Sequence, residues 1–206
     1  MIIYLHGFAS GPGSRKAQFF RERLSSHGID VLIPDLSEGR FEDLTITGQL
    51  GVIERAAAGR PVSLIGSSMG GYLAALYAAR HPEVERLVLM APAFELAKRW
   101  TEWLGDGQFE DWKRRGYLSF FHFAEGRERR LNYGIIEDAA KYEDYPEVAQ
   151  PTLVFHGRLD ATVKCDLSER FRAARPNVEL VLLDDGHELL DSLETIWTGA
   201  RRFLGF

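Results

Sequence analysis

The hexapeptide Gly66-Ser67-Ser68-Met69-Gly70-Gly71 separates an apolar run, Pro61-Val62-Ser63-Leu64-Ile65, from a stretch of small residues that reaches Arg80. The run before it predicts a buried strand, and Ser68 to Arg80 predicts a helix packed tightly on a sheet. So sharp a strand-to-helix turn crowds the positions two before and two after its central residue, and both need glycine. Gly66 and Gly70 meet that need around Ser68, whereas Ser67 is flanked at the same spacing by Ile65 and Met69. G-x-S-x-G alone recurs by chance. Between a strand and a helix it marks a turn that holds a serine hydroxyl exposed in a strained backbone. At the start of that helix the Met69 N–H carries a partial positive charge suited to an oxyanion.

The rest of the chain supplies the sheet that such a turn requires. Apolar strands are expected at Ile2 to Leu5, Asp30 to Pro34, Pro61 to Gly66, Arg86 to Met90, Pro151 to Phe155 and Val178 to Leu183. Helices should lie between them: one capped by Ser14 and ending near Gly28, one from about Thr45 to Ala58, and a last one from about His187 to Phe203. Alternating strands and helices predict an α/β fold: about six mainly parallel strands, with helices on both faces. The interval 93–150 breaks the rhythm, carrying Trp100, Trp103, Trp112, Phe120 and Phe121 among alternating charges. An insertion of that length is expected to fold as a small helical cap or lid on a single domain spanning 1–206.

A serine hydroxyl needs a base to take its proton, and the base needs a third group to orient it. Around such a turn the chain order is serine, acid, histidine, with the last two following the final strands. Asp160 is the carboxylate in the loop after the fifth strand, and His187, after the sixth, is the one histidine beyond it. Asp184 and Asp185 are rivals to Asp160, but they stand close enough to His187 to make the turn itself. Glu188 and Asp191 would sit on the last helix as solvated charges, and His156 should shape the Asp160 loop. The second oxyanion donor should come from the loop after the first strand, at the Phe8 N–H, with Gly7 allowing close approach. Gly11-Pro12-Gly13 lacks the ending of a phosphate-cradling loop, and Lys16 is misplaced for one.

Bulk properties narrow the partners. A net charge of −5 argues against nucleic acid, and no apolar run approaches the length of a membrane span. The lone Cys165 suits a reducing compartment and, on the helix after the Asp160 loop, reads as a packed thiol. With no basic leader at Met1, a cytoplasmic location is expected. A homodimer stays open.

Taken together, His6-Gly7-Phe8, the Gly66 to Gly71 turn, His156-Gly157-x-x-Asp160 and Gly186-His187 resemble the α/β-hydrolase superfamily in order and spacing. Tyr4 to Ala17, together with Gly66 to Tyr72, is similar to the small YqiA-like esterases. The resemblance implies a compact carboxylic-ester hydrolase with no cofactor and no metal, acting on a small ester or thioester. Two antiparallel strands usual at the start of that fold have no room here, and 93–150 matches no specific motif. Substrate therefore does not transfer with the fold. Trp100, Trp103, Phe120 and Phe121 are candidates for a substrate-binding wall, or for the cap's own small core. The same triad also serves C–C cleavage, and a scaffold of this fold can bind without catalysing.

Overall fold

Ile2–Leu5 (β1) is buried at all four positions, as a parallel strand covered on both faces requires. The chain then runs through α1 (Arg15–Ser25), β2 (Val31–Leu32), α2 (Ile46–Ala57), β3 (Val62–Ser67), α3 (Met69–Ala78) and β4 (Val84–Met90). Beyond the insertion follow β7 (Thr152–Gly157), α7 (Asp166–Ala173), β8 (Val178–Leu183) and α8 (Leu193–Leu204). In the computed structural model, which describes residues 1–206, these strands form one parallel sheet in the order β2-β1-β3-β4-β7-β8. This is the α/β-hydrolase fold.

Alternation along the strands divides the core. Ile3, Leu5, Leu64, Leu87, Leu89 and Val154 face α2, α3, α7 and the insertion. Ile2, Tyr4, Ile65, Val88, Met90 and Phe155 face α1 and α8. The chain leaves β1 toward β2 on one side and returns to β3 on the other, so the direction of winding reverses between β1 and β3. Loops at the carboxyl ends of such a pair diverge and leave a crevice. Ser68 follows β3 and Phe8 follows β1.

Three expectations need correction. The second strand is only Val31–Leu32, because it is an edge strand with β1 as its sole partner; Ile33 is buried without pairing, and Pro34 has no N–H to donate. The last helix begins at Leu193, so His187, Glu188 and Asp191 lie in a loop before it, where Leu189 takes φ 54° and Asp185 accepts from the Ser192 N–H at 3.0 Å. The insertion is not purely helical. It holds α4 (Leu96–Leu104), α5 (Asp106–Arg115), an antiparallel hairpin of β5 (Tyr117–His122) and β6 (Arg127–Asn132), and α6 (Gly134–Ala139). The charge-rich run Arg127 to Arg130 supplies one strand of this ribbon. Trp112, fully buried, donates from Nε1 to the Leu131 carbonyl at 3.0 Å, and the insertion's buried side chains are continuous with the α2–α3 side of the core. Polar ties join it to the sheet domain: Asp138 accepts from the Thr47 N–H and hydroxyl at 2.7 and 2.8 Å, and the Phe123 N–H donates to the Ala9 carbonyl at 2.8 Å.

Candidate active site

The turn after β3 has the strain its spacing predicts. Ser68 adopts φ 53°, ψ −119°, a region costly for any residue with a side chain. It is held there by its N–H to the Met90 carbonyl at 2.8 Å and by its own carbonyl, which accepts from the Ala93 N–H at 3.1 Å. A methyl group on Gly66 would meet the Gly70 backbone and come within 2.8 Å of the Gly71 Cα. A methyl on Gly70 would instead strike the end of β1, with the His6 carbonyl oxygen 2.6 Å away. The two glycines therefore answer to different neighbours, and Gly70 is what lets α3 start against β1. Ser67 ends β3, buried, beside the Tyr4 hydroxyl.

Ser68, His187 and Asp160 come together. His187 Nε2 lies 3.0 Å from Ser68 Oγ, and Nδ1 lies 2.7 Å from Asp160 Oδ2. Asp160 Oδ1 accepts from the Thr162 and Val163 N–H groups at 2.9 and 2.7 Å, and His156 Nε2 stands 3.2 Å from Oδ2. Burial alone would raise the pKa of this carboxyl; hydrogen bonds from His156 and His187, with the field of His187 and the Val163 N–H, outweigh it and hold the group well below the usual carboxylate range. Ionised Asp160 can only accept, so Nδ1 of His187 carries a proton and Nε2 of the neutral ring presents its lone pair to Ser68. His156 is fully buried, with Nδ1 2.7 Å from Ser168 Oγ and Nε2 2.8 Å from the Val163 carbonyl, and so shapes the Asp160 loop. Asp185 makes the turn before His187 by accepting from the Gly186 N–H at 2.7 Å, while Asp184 is exposed and pairs with Arg158.

Two backbone donors flank the serine. A methyl on Gly7 would sit 3.4 Å from Ser68 Cβ, so the loop after β1 passes directly over the turn. Phe8 N–H donates to no protein group, and Met69 N–H opens α3. His6, overlooked as a site residue in the sequence, sets the direction of the first. Its Nε2 accepts from the Leu36 N–H at 3.2 Å, so Nδ1–H donates to the Gly7 carbonyl at 3.0 Å. The C=O and N–H of a trans peptide point in opposite directions, so pinning the Gly7 carbonyl also aims the Phe8 N–H. Burial lowers the pKa of His6 and keeps it neutral for this task. A histidine closing a buried strand just before Gly7 was the available signal.

These groups open onto a cavity of about 1030 Å³. Its walls include Trp100, Trp103, Phe120 and Phe121, but the four are not alike. Trp100 and Phe120 are buried and pack edge-on against Phe8 at 5.2 and 5.4 Å. Trp103 and Phe121 are about half exposed, at 53% and 47%. Trp100 and Phe120 thus belong to the insertion's packed core as well as to the cavity wall, whereas Trp103 and Phe121 keep about half of their surface free. Lys16, Arg99 and Glu188 also line the cavity, although none stood out as a site residue in the sequence. His122 packs against Phe41 behind the wall, His27 and His81 lie just past helix ends, and Cys165 is the partly exposed N-cap of α7. No three His, Cys, Asp or Glu side chains converge as metal ligands, and no helix is long and apolar enough to cross a membrane.

The fold is that of the α/β hydrolases, and solved structures agree on it. Alpha/beta hydrolase domain-containing protein 10 from mouse superposes with a TM-score of 0.82 at 21% identity, covering 98% of this chain and 88% of that one. Est1E from Butyrivibrio proteoclasticus, solved with ferulic acid bound, gives 0.82 at 24% identity over 98% and 87%. A structure from the metagenome-derived lipolytic enzymes LipS and LipT gives 0.74 at 17% identity over 100% and 93%. The fold is therefore one shared with esterases. Residues 1–202 match the model of the uncharacterised protein family UPF0227, which is YqiA-like, and the chain belongs to that family.

Proposed function

We propose that this protein is a serine hydrolase that cleaves carboxylic esters of small molecules through an acyl-enzyme intermediate. The observation that carries the reading is the unbroken line from Asp160 Oδ2 through His187 to Ser68 Oγ, with links of 2.7 and 3.0 Å, ending at the cavity. Ser68 Oγ attacks the ester carbonyl carbon as His187 Nε2 takes its proton. The developing oxyanion accepts from the Phe8 and Met69 N–H groups, which cost no reorganisation because the protein already fixes them. The tetrahedral intermediate collapses, and His187 gives its proton to the departing alcohol. Water then adds to the acyl-Ser68 carbonyl with His187 again as base, releasing the acid and restoring Ser68. Asp160 stays ionised throughout and stabilises the imidazolium.

Thioesters have the same electrophilic carbonyl and fall within the reading. The test is turnover of nitrophenyl esters and thioesters of graded acyl length by wild type and by Ser68→Ala. Turnover that drops by at least about 10³-fold in Ser68→Ala supports the mechanism. Equal turnover by the two proteins, or none by folded wild type on any ester, contradicts it.

A further inference from the structure

The cavity carries a cationic group that acyl transfer to Ser68 does not use. Lys16 lies in the first turn of α1, and its side chain is only 10% exposed. A buried ammonium is costly unless its three donors are paired. The one carboxylate in ion-pair range is Glu188, at 3.6 Å, beyond hydrogen-bond length, on a side chain that is 70% exposed. Asp160 and Asp185 add their fields from nearby, but their oxygens are engaged by His187, Val163, Gly186 and Ser192. Burial still lowers the Lys16 pKa against these attractions. Around the cavity the fixed charges are Arg15, Lys16 and Arg99 against Glu188 alone, in a chain whose net charge is −5.

The position of Lys16 selects one end of the substrate. His187 must protonate the leaving oxygen, so the leaving group lies on the His187 side of the scissile bond. Glu188 follows His187 directly, and Lys16 faces Glu188 across 3.6 Å, so Lys16 stands on that same side of the cavity. We infer that Lys16 recognises a carboxylate on the leaving alcohol, and that Glu188 occupies its place until such a substrate binds. The inference rests on the hydrolase reading and adds to it a substrate class: esters whose alcohol part is itself an anion.

Two chromogenic butyrates test this: para-nitrophenyl butyrate, and the same ester with a carboxylate ortho to the nitro group. Wild type should favour the carboxylated ester in kcat/KM by about tenfold, the scale of one charge-assisted hydrogen bond. Lys16→Met should bring that ratio close to one, Lys16→Arg should retain part of it, and Glu188→Gln should raise it by removing the competing carboxylate. A wild-type ratio near one overturns the assignment, as does an unchanged ratio in Lys16→Met with a normal melting temperature. Should Lys16→Met fail to fold, Glu188→Gln decides, and no rise in its ratio counts against the proposal. If neither ester is turned over by folded wild type, the hydrolase reading itself fails and the carboxylate assignment falls with it.

Discussion

Replacing Asp160 by asparagine should disable His187 without disturbing its position. Oδ1 of Asp160 accepts two backbone N–H bonds, from Thr162 and Val163, at 2.9 and 2.7 Å. In Asp160→Asn only the amide oxygen can take that place, since an NH₂ there would face two donors. The NH₂ is therefore forced into the Oδ2 position, 2.7 Å from His187 Nδ1. Nδ1 must then accept, and the ring proton moves to Nε2, where it faces Ser68 Oγ at 3.0 Å. The base now presents a proton to the group it should deprotonate. A wrong tautomer of this kind costs about 10⁴-fold in kcat in the best-studied triad, or about 5.5 kcal/mol of barrier. Steady-state turnover of a nitrophenyl ester measures the loss, and a melting curve checks that Asp160→Asn is folded. A folded variant that loses less than about tenfold would refute the chain of hydrogen bonds from which the tautomer is deduced.

Other perturbations probe the remaining parts. His6→Phe removes the pin on the Gly7 carbonyl, so kcat should fall by about 10²-fold with KM nearly unchanged, because the Phe8 N–H serves only the transition state; an equal rise in KM would count against that. Trp103→Ala, at a half-exposed wall position, should alter KM across esters of graded acyl length and leave the melting temperature nearly unmoved, whereas Trp112→Ala should cost about 3–5 kcal/mol in denaturant unfolding. Asp160 and Asp138 both have carboxyl groups held below their ordinary range; for each, burial opposes the shift and is outweighed, by His156 and His187 for Asp160 and by Thr47 and Lys141 for Asp138. Their stabilising effect is fully present above about pH 4 and is lost as the pH falls through the folded-state values. Asp138→Asn should flatten the acid limb of an unfolding-against-pH curve; an unchanged slope would remove Asp138 from that account.

Features built from neighbours in the chain are legible in the sequence. The glycines at 66 and 70 identify the turn and separate Ser68 from Ser67, and strand order leads to Asp160 and His187. The Lys16–Glu188 pair and the link from His6 to Leu36 are meetings of distant segments, which no local pattern carries. The start of α8 departs from expectation for a similar reason: Gly186 to Ser192 looks like the apolar-polar start of a helix, but the side chain of Asp185 reaches Ser192 and holds the segment as a loop. The hairpin of β5 and β6 was hidden because its alternation mixes aromatic and charged residues, and because only part of one face is buried.

His187 should activate Ser68 as a nucleophile. Treatment with a fluorophosphonate, followed by intact mass and peptide mapping, tests it most directly. One adduct per chain should appear, on Ser68 and not on the adjacent Ser67, and it should vanish in Ser68→Ala and fall sharply in His187→Ala. Folded wild-type protein that takes up no label, or that carries it on Ser67, would contradict the claim.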